Sequence, residues 1–465
     1  MANPAANPMN APSPARVAAL DRLARQARRF PDLEFVDSGA APTADGAALS
    51  GRDVALARAI EHSVVHRWGT LAACARACID RRWENVDERV QAALLTGAAQ
   101  ILLFGNQADH AVVDDTVEWT KRKGHRGAAG FVNAVLRKIA ALRGEILSGP
   151  DAAPRAWANR RDLLPLADGR VLQLTAEVFS GDPVARLAEQ TSHGEDLLLH
   201  WMNVAGRDRC LQRAVHGLVD APTIVTVPPG ALAPGSAAAP HLVPHQQPGF
   251  FVWQGDHAGL LALLSEFPAA RVQDPGSAHP VRIAQGLRPK LILDACAGRG
   301  TKTRQWAELF PDAEVVATDV DGRRLHSLAL AFEGHPRVKV TTPEGLRRVI
   351  GKVDLLALDV PCSNSGVLPR RPEAKYRFNR ERLDSVVRLQ KSIVEDHRLL
   401  MAPDAAVLYS TCSLEAMENE RQVEWASKRL GIPVARSESQ EPRGMPGDPP
   451  TAYSDGSFAA LLSAR

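Results

Sequence analysis

Four apolar runs of this chain end in side chains able to do chemistry. KLILDACAG closes on Asp294 and Cys296, AEVVATDV on Asp319, VDLLALDV on Asp359 with Cys362 close behind, and AAVLYSTC on Cys412. One cysteine at a strand end is as readily a small core hydrophobe. Thiols and carboxylates after four successive runs instead mark a site, where a thiol can act as a nucleophile. The turn ACAGRGTKT (295–303) follows the first run and opens a helix. Its glycines let the backbone approach a ligand, with helix N–H groups aimed at it. It is neither a Walker loop nor GxGxxG, which disfavours a dinucleotide dehydrogenase. Asp319 stands where a carboxylate accepts hydrogen bonds from ribose hydroxyls; helix capping is the competing role, above all for Asp321. The segment LDVPCSNSGVLPRRPEAKYRF (358–378) sets a carboxylate, a proline and a thiol before Arg370, Arg371, Lys375, Tyr376 and Arg377. Cations interleaved with aromatics suit a nucleic-acid backbone and its bases.

These residues need a scaffold. From about Leu291 the short apolar runs alternate with helical segments such as TKTRQWAELF and ERLDSVVRLQKSIVEDHRLL. That alternation predicts a parallel, doubly wound α/β sheet, which binds ligands outside the carboxyl ends of its strands. From about Arg52 to Ala141, apolar residues recur three and four apart through five segments, predicting an all-α bundle broken near Gly105, Asn106 and Gly124. The bundle's tail is basic, with Lys121, Arg122, Lys123, His125 and Arg126. A solvated helix face and a phosphate-binding surface both fit it. Residues 1–16 read as disordered, 17–29 as a short helix and 31–50 as linker. Residues 145–260 read as mixed, with a helix near 183–190, a strand at 223–227 and a Pro/Ala/Gly/His-rich surface loop at 228–249.

A chain of 465 residues is too long for one core. Its net charge of +3 gives no global nucleic-acid signature, so any such footprint is local. No apolar stretch is long enough to span a membrane, and the N-terminus lacks the pattern of a secretory signal. Six scattered cysteines without a CxxC pair point to free thiols in a reducing cytoplasm, and to no metal site.

DACAGRGTKT, DVPCSNSGV followed by RRPEAKY, and YSTCSLEAMENE resemble the three signature stretches of the S-adenosylmethionine-dependent RNA cytosine carbon-5 methyltransferases. GFVNAVLRK (130–138) is similar to the end of the NusB-like RNA-binding domain found in the branch that modifies small-subunit ribosomal RNA. RVQDPGSAHPV (271–281) resembles the strand leading into that branch's catalytic domain. The chain departs from the family in its cofactor turn, where Ala-Pro-Gly-Gly is replaced by Gly298, Arg299, Gly300 and Thr301. The family's third cofactor carboxylate has no clear equivalent in VKVTTPEGL, where Glu344 stands.

The resemblance implies four parts: a linker (1–50), a NusB-like helical domain (51–145), a small mixed RNA-binding segment (146–264) and a Rossmann-like methyltransferase domain (265–465). It implies S-adenosylmethionine held by Cys296, Ala297, Gly298, Arg299, Gly300, Thr301, Lys302, Asp319, Asp359 and Pro361. Cys412 is then the nucleophile toward cytosine carbon-6, Cys362 serves product release, and Asp359 and Lys302 assist. RNA, expected to be 16S ribosomal RNA, would be gripped by Lys121, Arg122, Lys123, Arg126, Arg370, Arg371 and Lys375. The protein would act as a cytoplasmic monomer. A methyltransferase fold kept only as a silent, RNA-binding ribosome-assembly factor is the alternative, motivated by the altered turn.

Overall fold

The computed structural model describes residues 12–34, 49–105, 108–123, 126–227 and 239–464. The expected helix breaks at Asn106 and Gly124, together with His125, residues 1–11 and 35–48, and the loop stretch 228–238, lie outside them. The chain divides into two compact units. One comprises residues 1–220 with 369–378 and 445–447; the other comprises 221–368, 379–444 and 448–465.

The first unit is built on five helices, α1 (Pro14–Ala27), α2 (Gly51–Ala77), α3 (Glu88–Leu103), α4 (Asp109–Lys123) and α5 (Ala129–Ala141). Ser50 starts α2 with a reciprocal cap: its hydroxyl accepts from the Asp53 N–H while the Asp53 carboxylate accepts from the Ser50 N–H. Leu20, Leu23, Val64, Leu94, Val132 and Leu136 fill one core. Gly97 lets α3 and α5 meet closely, since a Cβ there would come within 2.5 Å of Leu136. The short helix expected over 17–29 is present as α1, though it packs into the bundle rather than standing in a linker. α1 begins at Pro14 and buries Ala15, Ala18, Leu20 and Leu23 in the bundle core. A small antiparallel sheet follows, β1 (Arg143–Leu147), β2 (Leu163–Pro165) and β3 (Val171–Leu174), in the order β1-β3-β2. Helices Pro183–Thr191, Glu195–Ala205 and Arg207–His216 complete the unit.

The mixed segment expected over 146–264 is therefore not one subdomain. Its first part clusters with the helical unit, and residues from Ala221 onward cluster with the second unit. There β4 (Ile224–Thr226), β5 (Leu242–Pro244), β6 (Phe250–Trp253) and β7 (Arg271–Val272) form an antiparallel sheet in the order β5-β6-β4-β7. The stretch 271–281, expected as a strand, gives only two strand residues. Asp274 then caps a helix, Pro275–Ile283, by accepting from the Gly276 N–H.

The main sheet has seven strands: β8 (Leu291–Asp294), β9 (Glu314–Ala317), β10 (Val338–Val340), β11 (Val353–Asp359), β12 (Met401–Thr411), β13 (Val434–Gln440) and β14 (Ser457–Leu462). Their order is β10-β9-β8-β11-β12-β14-β13. Pairing is parallel from β10 to β12, and β14 is antiparallel to both its neighbours. Ile292, Val315, Leu355 and Leu408 pack on one face with Val281 and Trp306. Leu293, Val316, Leu356 and Val407 pack on the other with Val394 and Val423. Burial on both faces is why these strands read as unbroken apolar runs. The carboxyl ends of β8, β9, β11 and β12 thus deliver Asp294, Asp319, Asp359 and Cys412 to one edge of the sheet. Among the described residues no helix is long and apolar enough to cross a membrane.

Candidate active site

A cavity of about 890 Å³ opens at that edge, a volume within the range of small-molecule sites. Of the turn residues expected to hold a cofactor, Cys296, Ala297, Gly298, Arg299, Thr301 and Lys302 line it, as do Asp319, Asp359 and Pro361. Gly300 does not. It holds φ +91°, and a Cβ there would come within 2.4 Å of Phe332. Its contribution is to precede the helix Thr301–Leu309 without a side-chain cap, leaving first-turn N–H groups for a ligand. The Asp319 carboxylate accepts from the N–H groups of Gly298 (2.9 Å) and Asp321 (2.8 Å), and a carboxylate has lone pairs left for further donors. Asp321 takes the capping role, accepting from the Arg324 N–H. The stretch around Glu344 lines the cavity through Pro343, Leu346 and Arg347, not through a carboxylate. Asp396 and His397 line it too. Sequence reasoning missed them because they lie in a helix remote from the signature stretches.

Behind the turn, Asp294 is buried and accepts from the Thr303 hydroxyl at 2.7 Å. Burial pushes its pKa up to about 7, opposed by that hydrogen bond and reinforced by Asp359. Burial also raises the Cys296 thiol, with Asp294, Asp359 and Asp319 adding to the effect. Cys296 is therefore a protonated wall residue rather than a nucleophile.

Cys362 and Cys412 are both half-buried, with their sulfurs 3.1 Å apart. Neither lines the cavity itself; Asp359 and Pro361, which do, connect it to them. The Cys412 thiol donates to the Asn364 side-chain oxygen at 3.2 Å, and the Asn364 amide donates to the Cys362 carbonyl at 3.1 Å. Asn364 adopts φ +60°, a left-handed conformation that asparagine tolerates better than most residues. The hydrogen bond to Cys412 and burial hold the Cys362 pKa well above that of an ordinary thiol. Asp359 accepts from the Lys302 ammonium at 2.8 Å and the Ser410 hydroxyl at 2.9 Å. Burial disfavours the charged form of Lys302, but the Asp359 carboxylate outweighs it, aided by Cys412, and the lysine pKa is raised.

Glu418 ties the two cysteine loops together and was not singled out from sequence. It is fully buried. It accepts from the Ser363 N–H and hydroxyl, beside Cys362, and from the Ser413 hydroxyl, beside Cys412. The Gln390 amide is a further donor, at 3.1 Å. Gly366 makes a second tie, its N–H donating to the Cys412 carbonyl at 2.9 Å.

The expected RNA-binding cations divide. Lys375 is fully buried and donates to the carbonyls of His66 and Gly217. Burial, with Arg67 adding, lowers its pKa well below that of a free lysine, so the structure overturns its assignment to an RNA-facing surface. Tyr376 is likewise spent internally, donating to the Val65 carbonyl and accepting from the Trp68 N–H. Arg371 pairs with Glu373 at 2.7 Å, and Arg370 is half-buried. In the bundle, Lys121 and Arg122 pair with Glu118, Lys123 pairs with Asp21, and Arg126 is exposed. Among the described residues no group of three or more His, Cys, Asp or Glu could hold a metal ion.

Residues 285–446 match the family model described as 16S rRNA methyltransferase RsmB/F, and residues 13–141 match the model of the NusB family. Ribosomal RNA small subunit methyltransferase B of Xanthomonas campestris pv. campestris is 28% identical, covering 90% of this chain and 91% of that protein. The protein of the same name from Vibrio cholerae serotype O1 is 27% identical, covering 93% and 94%. The crystal structure of PH0851 shares the fold, with a TM-score of 0.67 at 16% identity over 97% of this chain and 99% of that one.

Proposed function

We propose that the protein methylates carbon-5 of a cytosine in small-subunit ribosomal RNA through a transient bond to Cys412, on the premise of its matches to the 16S rRNA methyltransferase RsmB/F model over residues 285–446 and to the NusB model over residues 13–141. The observation that carries the reading is the pair of sulfurs 3.1 Å apart beside the Lys302–Asp359 ion pair. S-adenosylmethionine, when bound, supplies an electrophilic methyl group. The residues present fit it: Asp319 suits ribose hydroxyls, the uncapped helix start at Thr301 suits a carboxylate, and Leu346 and Ile350 offer apolar wall.

Cytosine carbon-5 is a poor nucleophile. Addition of the Cys412 thiolate to carbon-6 pushes an electron pair toward carbon-5, which can then accept a methyl group. Asp359 accepts from the cytosine N4 amino group, and Lys302 offsets the negative charge developing on the ring. Removal of the carbon-5 proton then expels Cys412 and restores the double bond. Cys362 suits that last step for a physical reason. Its hydrogen bond to Cys412 and its burial hold its own proton on, and repulsion adds to them once Cys412 is the attacking thiolate. Once the Cys412 sulfur is a neutral thioether that repulsion is gone, so Cys362 gains acidity as the adduct forms.

The reading is tested by incubating the protein with labelled S-adenosylmethionine and small-subunit RNA, then mapping 5-methylcytosine by bisulfite sequencing. A labelled, bisulfite-resistant cytosine is expected; label at another atom would overturn the carbon-5 assignment. A silent assembly factor is the second reading, favoured by Arg299 at the cavity wall. Failure to bind S-adenosylmethionine in a direct titration would select it.

Glu418 is a positioning residue in this scheme. In Glu418→Gln one carboxylate oxygen becomes an NH₂ donor, so either the Ser363 and Ser413 hydroxyls, which share one oxygen, or the Ser363 N–H and Gln390 amide, which share the other, lose their acceptor, at a cost of about 1–3 kcal/mol. The expected result is a fall of roughly tenfold in kcat with KM for RNA retained. An unchanged kcat would show that the two loops hold their places without it.

A further inference from the structure

Away from the catalytic cavity, the second unit holds another of about 400 Å³ whose lining includes His245, Gln247, Arg282, Gln440, Arg443 and Ser454, and no carboxylate. It forms where the β5–β6 turn, the helix Pro275–Ile283 and the chain after β13 converge. The two arginines differ in how they are held. Arg282 lies against the Phe250 ring, 5.5 Å from its centroid, and one of its terminal nitrogens donates to the Pro275 carbonyl at 3.4 Å. Its Nε is buried without a hydrogen-bond partner among the described residues, a state that costs free energy unless a ligand or water supplies an acceptor. Arg443 is exposed, and its guanidinium makes no ion pair among the described residues.

The histidines there are already committed. His245 Nε2 faces the Tyr453 carbonyl at 2.7 Å while its Nδ1 accepts from the Gln247 N–H, which fixes a neutral ring. His279 pairs with Glu438 at 2.8 Å. Unspent polarity therefore comes from two guanidinium groups and from side-chain amides. Guanidinium groups match phosphate oxygens, and amides carry both donor and acceptor for a base edge.

We propose that this pocket is a subsite for one nucleotide of the RNA strand flanking the target cytosine, its phosphate held by Arg282 and Arg443 and its base met by Gln440 and Gln247. The inference rests on RNA being the substrate. The same helix that carries His279 and Arg282 into this pocket places Ser277 on the wall of the catalytic cavity. A strand seated here is thus continuous with the site of chemistry through one helix. The occupant is a polynucleotide rather than a free nucleotide because Arg443 extends the positive wall to the open surface.

Binding of a labelled, cytosine-containing single-stranded RNA oligonucleotide, measured by anisotropy across a salt series, tests the subsite. Arg443→Gln, an exposed change, is expected to weaken binding about tenfold and lower the magnitude of the salt slope by about 0.7. Affinity for S-adenosylmethionine should persist. Arg282→Gln should act in the same direction. Binding and slope equal to those of the unaltered protein in Arg443→Gln would overturn the subsite. Equally strong competition by cytidine 5′-monophosphate would overturn the assignment to a strand. Absence of RNA binding by the unaltered protein would sink the underlying RNA reading itself, a result distinct from either.

Discussion

Cys412→Ala is expected to abolish the denaturation-resistant complex with RNA carrying 5-fluorocytosine and to lower methyl transfer by about 10⁴-fold or more, the scale on which loss of a nucleophile acts. Fluorine at carbon-5 cannot leave as a proton does, so the unaltered protein should be trapped after methylation. Cys362→Ala is expected to do the opposite with ordinary RNA. Addition and methyl transfer proceed, the carbon-5 proton is not removed, and the enzyme–RNA adduct accumulates on a denaturing gel. Both thiols are half-buried and 3.1 Å apart, and replacing either by alanine deletes only a sulfur, so both variants should fold. The opposite pattern, with Cys362→Ala blocking the adduct, would exchange the two roles. Normal methylation by Cys412→Ala would end the covalent scheme.

The second large effect belongs to Asp359. Asp359→Asn removes the charge 2.8 Å from the Lys302 ammonium while keeping one oxygen for Lys302 or Ser410. A fall of about 10²–10³ in kcat is expected, comparable to losing one electrostatic contact to a transition state. A change in pH dependence should accompany it. Lys302 is raised because Asp359 outweighs burial; with the carboxylate neutralised, burial prevails and the lysine sheds its proton at lower pH. Activity of the variant should therefore decline at a lower alkaline pH than that of the unaltered protein. An unshifted alkaline limb would mean that Lys302 takes no part in the rate.

The strands that deliver the site were readable because a strand covered on both faces is apolar throughout, and the residue ending it is exempt from that demand. β13, VARSESQ, escaped notice because it lies at the sheet edge with most of its side chains in solvent. α1 was half-read: its helical spacing is local, but its burial depends on α2 and α3, which no local window contains. Lys375 and Tyr376 show the reverse error. Cations beside aromatics look alike in sequence whether they face phosphates or the protein's own carbonyls, and here carbonyls of residues 65, 66 and 217 claim them. Glu418 was visible only as one acid among several after YSTCS. Its partner Ser363 is 55 residues away, a separation that carries no periodic signal.

The excursion of residues 369–378 into the helical unit has a practical corollary. The amino-terminal half is not finished when its own last residue is made, for the peptide that satisfies the carbonyls of Val65, His66 and Gly217 arrives some 150 residues later in synthesis. A ribosome releasing this chain therefore holds an incomplete first half until well into the second. No single proteolytic cut can part the halves without leaving the first one a missing piece.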